Sequence, residues 1–141
     1  FVRSPSEPIP VTFGDVVEVT NDSKFGILSG DHIMVRLGIE LPDVSACLFL
    51  LGDVDGLMDR PPQQSGAKLI EQWMPSDGLE STHASDIDVT GGILLKAQCA
   101  SMIANSVDRV WLLNGREPNR MLDAVMRDDT VGTKILSERS P

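Results

Sequence analysis

The sequence is poor in basic residues and has no long apolar run. Its 141 residues include 12 Lys and Arg against 21 Asp and Glu, a formal net charge of -9. The basic residues are scattered singly, which leaves no patch for nucleic acid or an anionic membrane surface. No apolar run approaches the roughly 20 residues that span a bilayer, and the first residues lack the pattern of a signal peptide. We therefore expect a cytoplasmic protein with neither nucleic acid nor a membrane as partner.

Cysteine and histidine are also scarce, with two residues of each. Cys47 and Cys99 lie far apart in apolar segments, where we expect core thiols. His32 and His83 match no zinc-binding spacing, so the sequence predicts no metal site built from these side chains. The motifs GxxxxGKS/T, GxGxxG, GxSxG and HExxH are absent, which excludes the sites that those motifs mark.

The most informative stretch is an apolar run, Val44 to Leu51, that ends in the acidic turn Gly52-Asp53-Val54-Asp55-Gly56. A run that is apolar on both faces is typical of a strand in a parallel sheet covered by helices. In open α/β sheets, ligands bind beyond the carboxyl ends of such strands. The glycines let the backbone approach a ligand, and the two acids can face a cation, a ribose or a nucleotide amine. The alternative is an acidic turn without a ligand.

Strand and helix signals alternate along the rest of the chain. In chain order they predict a hairpin of strands 15–19 and 25–28, a helix from Ser29 to Leu41, the strand at 44–51, a helix from about Ile93 to Asn105, a strand at 107–114, a helix starting at Glu117-Pro118 and a strand at 132–136. The first helix has its predicted apolar face at Ile33, Met34, Leu37 and Leu41. The last helix has its predicted apolar stripe at Met121, Leu122, Val125 and Met126. Residues 57–90 are irregular, and we expect Trp73 to anchor them to the body. This order predicts a layered α/β domain.

Two more glycine-bearing turns precede predicted helices. Ser29 and Asp31 around Gly30 are explained by helix capping, yet a helix N-terminus also offers free N–H groups to a phosphate. Gly91 and Gly92 precede the next predicted helix and place Lys96 in its first turn, where the helix dipole disfavours a cation. A bound anion between the glycines and Lys96 would explain that position, and a solvated lysine is the alternative.

The three turns together favour one kind of chemistry, provided that they meet at one rim of the sheet. They would supply amides for phosphates, acids for a metal ion or a sugar, and one cation. Phosphoryl transfer needs this set, because positioning and charge neutralisation provide most of its catalysis.

Five segments also carry a family resemblance: FGDVV at 13–17, ILSGD at 27–31, GDVDGLMDRPP at 52–62, DVTGGI at 88–93 followed by Lys96, and GT at 132–133. In this order and spacing the sequence resembles the carboxyl-terminal half of the amino acid kinase superfamily, most closely its isopentenyl phosphate kinase branch. The resemblance implies a three-layer αβα fold with a mostly parallel central sheet. It also implies that residues 1–141 are the ATP-binding portion of one domain whose amino-terminal portion is absent.

The resemblance further implies a reaction and a set of site residues. The reaction is transfer of a phosphoryl group from ATP, with Mg²⁺, onto isopentenyl phosphate, which gives the isoprenoid precursor isopentenyl diphosphate. Lys96 would be the catalytic residue and would bind ATP near its terminal phosphates. The resemblance assigns acceptor binding to Ser29, Gly30 and Asp31 and ATP binding to Asp53, Asp55, Gly56, Asp59, Gly91, Gly92 and Lys96.

The sequence departs from the family pattern in places. Gly52 stands where the family usually has threonine, and His32 stands where a second acid is common. The family's glycine-rich lysine strand and its substrate-phosphate histidine have no match, so we expect the 141 residues alone to be inactive, with a homodimer possible only for the complete protein. The alternatives are a fosfomycin-type or glutamate-type kinase of the same superfamily, a nucleotide-binding module without catalysis, and a plain structural α/β domain.

Overall fold

The computed structural model describes residues 8–20, 23–77 and 89–138. Most of the predicted helices and strands are confirmed. In chain order the elements are β1 (Asp15–Glu18), β2 (Phe25–Leu28), α1 (Gly30–Glu40), β3 (Cys47–Leu51), β4 (Gln72–Trp73), a 3₁₀ turn (Pro75–Asp77), α2 (Val89–Ala104), β5 (Val110–Asn114), α3 (Pro118–Arg127) and β6 (Thr133–Ile135). The short strand β4 was not predicted. Its Trp73 is buried, which confirms the predicted anchor.

The main sheet has the strand order β3-β5-β6-β4. β3 runs parallel to β5 and β4 runs parallel to β6, whereas β5 and β6 are antiparallel. The register pairs Leu51 with Asn114, so β3 and β5 end at the same rim of the sheet. The mostly parallel sheet predicted from the family resemblance is confirmed, and the acidic turn follows β3 at that rim.

Helices cover both faces of the sheet, which confirms the three-layer αβα prediction. On one face, Ala97, Ala100 and Ile103 of α2 are fully buried. α1 contacts α2 more extensively than it contacts any strand. On the other face, Ala124 of α3 packs with Trp111 of β5.

The predicted apolar face of α1 is wrong in part. Val35 and Gly38 are the buried residues of this helix, whereas Leu37 is 39% exposed. A Cβ atom at residue 38 would lie 2.9 Å from Ile103 Cγ2, so the glycine lets α1 approach α2 closely. An apolar pattern does not count glycine as a contact residue, and the prediction therefore missed this face.

The predicted stripe of α3 is also wrong in part. Ala124 is fully buried and Met121 packs beside it, whereas Leu122 and Met126 are exposed. A small residue is favoured at the contact because helix and strand backbones approach closely there.

Both cysteines are buried and unpaired, which confirms the predicted core thiols. Burial raises the pKa of the Cys47 thiol and is also the main cause of the raised pKa of Cys99. Among the described residues, no helix combines the length and the apolar character needed to cross a membrane.

The β1–β2 hairpin presents apolar side chains to solvent. Val16 pairs with Ile27 in the antiparallel register, and these two residues are 64% and 83% exposed. Phe25, two residues before Ile27 on the same strand face, is also exposed. The hairpin therefore buries little of its own apolar surface.

A single buried hydroxyl connects the acidic turn to the sheet. Thr133 of β6 is fully buried, and its Oγ1 accepts a hydrogen bond from Leu57 N at 2.8 Å and donates one to Ile70 O at 2.6 Å. A Cβ atom at Gly56 would lie 2.4 Å from the same Oγ1. Packing against Thr133 thus requires a glycine at position 56.

We expect Thr133→Val to lower the free energy of unfolding by about 2 kcal/mol, because it leaves a buried N–H and a partly buried C=O without their partner. The change is measured by urea unfolding, with the fluorescence of the buried tryptophans as the signal. Thr133→Ser keeps the hydroxyl and is the matched control. Equal stability of the valine and serine variants would contradict this role for the hydroxyl.

Candidate active site

The first part of the candidate site is the N-terminus of α1. Ser29 caps this helix, and its Oγ accepts a hydrogen bond from His32 N at 3.2 Å and lies 2.9 Å from His32 Nδ1. The predicted capping role of Ser29 is therefore confirmed. Gly30 has open space where a side chain would begin. Asp31 follows in the first turn of the helix.

Lys96 pairs with Asp31 across the contact between α2 and α1. Its Nζ donates to both carboxylate oxygens of Asp31, at 2.8 Å and 2.9 Å. The side chains are partly buried, with 32% of Lys96 and 16% of Asp31 exposed. Because the pair is partly shielded from bulk water, its attraction is screened less than that of a surface ion pair.

The prediction that Lys96 stands in the first turn of its helix is wrong. α2 begins at Val89 rather than near Ile93, so Lys96 lies about two turns inside the helix. Gly91 and Gly92 fall in the first turn of α2 and do not form a separate turn before it. Glycine is disfavoured but tolerated within a helix, which explains the misplaced boundary. The helix dipole acts mainly in the first turn, so Asp31, not a dipole misfit, accounts for the position of Lys96.

A cleft of about 260 Å³ opens beside the Lys96–Asp31 pair. Gly30 and the ion pair line its polar end. The remaining walls are mostly apolar and come from α1, β3 and Thr12: Ile33, Met34, Leu37, Leu48, Phe49 and Leu50. β3 forms an edge of the sheet in the described part of the chain, so the cleft runs along a strand with no neighbour on that side.

The acidic turn after β3 forms the second part of the candidate site. Val54 and Gly56 point inward and are buried, whereas Asp53 is exposed and Asp55 is partly exposed. Asp55 Oδ1 accepts hydrogen bonds from Arg120 NH1 at 2.5 Å and Asn114 Nδ2 at 3.1 Å. These contacts, Arg120 first, hold the pKa of the Asp55 carboxyl below its usual range.

Asp59 braces the loop that follows the acidic turn. Its Oδ1 accepts a hydrogen bond from Lys68 N at 2.8 Å, and its Oδ2 lies 3.1 Å from Arg60 NH2. The backbone contact with Lys68, followed by the contact with Arg60, lowers the pKa of Asp59. The carboxylates of Asp55 and Asp59 thus have partners within the chain, whereas Asp53 has no hydrogen bond or ion pair to any described residue.

The predicted site residues therefore fall into two neighbouring groups. Gly30, Asp31 and Lys96 meet at the cleft, while Asp55 joins Asn114 and Arg120 at the rim where β3 and β5 end. The cleft reaches β3 as far as Leu50, two residues before Gly52. Gly92, like Gly30 and Gly52, has open space where a side chain would begin.

Sequence reasoning missed Asn114 and Arg120 as parts of this region, and it gave no role to Thr133, although Thr133 belongs to the family resemblance. Asn114 ends β5 as Leu51 ends β3, so the rule that ligand sites follow parallel strands was a usable signal for it. Arg120 contacts Asp55 across 65 positions and Thr133 contacts Leu57 across 76. No local pattern identifies such partners. Among the described residues, no group of three or more His, Cys, Asp and Glu could hold a metal ion.

Comparisons with known proteins agree with this fold. The isopentenyl phosphate kinase of Methanothermobacter thermautotrophicus is 29% identical over 130 residues, which cover 90% of this chain and 48% of that protein. The acetylglutamate kinase of Clostridioides difficile is 33% identical over 86% of this chain and 41% of its own length. The uridylate kinase of M. thermautotrophicus is 27% identical over 92% of this chain and 60% of its own length. The chain thus spans about half the length of the curated relatives that it matches.

A solved isopentenyl phosphate kinase structure shares the fold, with a TM-score of 0.60 and 24% identity over 86% of this chain and 43% of that one. The model of the amino acid kinase family matches residues 4–114. A match over most of the sequence, together with the shared fold, shows that this chain belongs to the amino acid kinase family.

Proposed function

We propose that this chain binds ATP and forms the nucleotide side of a kinase that phosphorylates isopentenyl phosphate, giving isopentenyl diphosphate and ADP. The observation that carries the proposal is the Lys96–Asp31 pair beside the open backbone of Gly30. Membership of a kinase family supports phosphoryl transfer as the reaction class. The choice of acceptor depends on the character of the cleft.

Lys96 is suited to neutralise charge on a phosphoryl group. Its ammonium group has three donors, and two of them bond to Asp31, so one donor is available for a phosphate oxygen. Asp31 fixes the position of Nζ, which reduces the ordering needed when a ligand binds. An acceptor oxygen that already belongs to a phosphate is anionic, so this chemistry needs no strong general base.

The apolar cleft favours isopentenyl phosphate over more polar acceptors. Ile33, Leu37 and Leu50 offer a hydrocarbon surface next to the polar end at Gly30. An acceptor with a short hydrocarbon tail and one phosphate matches both ends of such a cleft. N-acetylglutamate and UMP, the acceptors named by other relatives, would each place polar groups against apolar walls at a desolvation cost.

Magnesium would arrive with the nucleotide in this proposal. Mg²⁺ is usually held by nucleotide phosphates, water and one or two carboxylates. The carboxylate of Asp53 lies at the strand rim and has no partner among the described residues, so it fits that requirement, and a larger group of protein ligands is unnecessary. Asp53, with the backbone of Gly52, Gly91 and Gly92, would then form the nucleotide-binding surface.

We further propose that catalysis needs a second half of the domain. The chain matches only about half of the length of its relatives. In the described part of the chain, β3 has no neighbouring strand on its outer edge, and the hairpin exposes Val16, Phe25 and Ile27. An added strand at β3 and cover for the hairpin would bury these groups. The 141 residues alone would then bind ATP but transfer no phosphoryl group, and any homodimer would belong to the complete protein.

We expect Lys96→Met to weaken binding of Mg-ATP by tenfold or more, roughly the effect of losing one charge-assisted hydrogen bond, while leaving AMP affinity within about twofold. The difference arises because Lys96 is proposed to contact the terminal phosphates, which AMP lacks. Isothermal titration calorimetry of the 141-residue chain measures both affinities.

The matched control for Lys96→Met is Lys24→Met, which removes a lysine charge from the exposed hairpin. ATP binding that is equally strong in both variants would point to a nucleotide-binding module that does not use Lys96. No ATP binding by the unaltered chain would contradict the proposed function itself.

We expect the 141 residues alone to form no ADP above background with Mg-ATP and isopentenyl phosphate, because the second half of the site is missing. Adding the separately expressed amino-terminal half of the M. thermautotrophicus isopentenyl phosphate kinase is expected to produce turnover of isopentenyl phosphate in preference to N-acetylglutamate, UMP and fosfomycin. A coupled ADP assay measures the rates. ADP formation by the chain alone would disprove the need for a second half, and preference for another acceptor would disprove the choice of substrate.

A further inference from the structure

The two loops that follow β3 and β5 are joined through one carboxylate. Asp55 Oδ1 receives hydrogen bonds from Asn114, the last residue of β5, and from Arg120 in the first turn of α3. Asn114 Oδ1 in turn accepts a hydrogen bond from Arg116 N at 3.0 Å. One amide group thus bonds to both loops, and its orientation follows from these two contacts.

The acidic turn is attached to the body at three points. Val54 is buried in the core, Leu57 N bonds to Thr133, and Asp55 bonds to the Asn114–Arg120 pair. The core and Thr133 contacts hold the inward-facing side of the turn. Among the described residues, the side-chain bonds that hold its outward-facing side are those of Asp55, next to Asp53 and the open backbone of Gly52.

We infer that Arg120 and Asn114 are positioning residues, which hold Asp55 so that the turn at 52–56 presents Asp53 and the Gly52 backbone to the nucleotide. The inference rests on the proposed ATP binding and adds residues to which no role had been assigned. Arg120 has two effects. It fixes the outward side of the turn before the ligand arrives, and it neutralises an anion that would otherwise stand two residues from Asp53 beside the nucleotide phosphates.

The effect of Arg120 is distinguishable from that of a general structural contact. Asp55 and Arg120 are both partly exposed, with 42% and 24% of their side chains accessible, so their separation leaves no buried unpaired charge. Removing Arg120 should therefore affect nucleotide affinity more than unfolding. It should also let the pKa of Asp55 rise towards its ordinary value, since Arg120 is the largest cause of its lowering.

The test measures Mg-ATP affinity of the 141-residue chain by calorimetry for a set of variants. Arg120→Gln is expected to bind about tenfold more weakly, the loss of one charge-assisted contact, and Arg120→Lys to recover most of that loss. Arg116→Gln removes the same charge from the same loop and is the control, because the Arg116 side chain has no ion pair with a described residue. Its affinity should stay within about twofold of the unaltered chain.

A double-mutant cycle tests whether Arg120 acts through Asp55. Asp55→Asn combined with Arg120→Gln removes both charges, so the double variant should bind Mg-ATP more tightly than Arg120→Gln alone. Carbon-13 carboxyl NMR should show a higher pKa for Asp55 in Arg120→Gln than in the unaltered chain. Thermal unfolding of each variant checks that the fold is retained.

Several outcomes would overturn the inference. Equal affinities of Arg120→Gln and Arg116→Gln would show that Arg120 does not position the nucleotide-binding turn. A loss that lysine does not restore, or one that tracks a fall in the unfolding temperature, would leave Arg120 with a structural role only. If the unaltered chain binds no Mg-ATP, the proposed function falls and this inference falls with it. Normal binding by the unaltered chain and by Arg120→Gln overturns this inference alone.

Discussion

The candidate nucleotide-binding surface depends on the buried hydroxyl of Thr133. Leu57 N and Ile70 O lie on the two arms of the connection between β3 and β4, and both bond to this one group in the interior of the domain. Since a buried backbone group without a partner is costly, the two arms can separate from β6 only by losing these bonds. The absence of a side chain at Gly56 permits the close approach. This contact fixes the end of the acidic turn against β6.

A different contact fixes the part of the candidate site that contains Lys96 and Asp31. Gly38 lets α1 approach Ile103 of α2, and the two helices then bring Asp31 and Lys96 together although 65 positions separate them in the chain. The acidic turn contacts β6, whereas the ion pair forms where two helices pack, so different contacts position the two parts of the site.

The sequence predicted the helices and strands well, but it predicted poorly which residues contact each other in the fold. The apolar run to Leu51 and its acidic turn identified the strand and rim correctly, because burial on both faces and glycine-rich turns are local signals. The start of α2 was misplaced because Gly91 and Gly92 are typical of turns but can also occupy a first helical turn. The contacts that Arg120 and Thr133 make were missed because a contact across more than 60 residues depends on the finished fold. The roles of the site residues came from the family resemblance, and they remain proposals.

The glycines separate structural from ligand-related requirements in this chain. Gly38, Gly56 and Gly132 each face atoms closer than 3.0 Å to where a Cβ would lie, so packing explains them. A Cβ at Gly30, Gly52 or Gly92 would meet open space, and Gly66 is the only described glycine with a positive φ. Neither packing nor backbone conformation within the described chain therefore requires glycine at these three positions. All three lie in the first turn of a helix or just beyond a strand, which is where ligands of α/β proteins commonly approach the backbone.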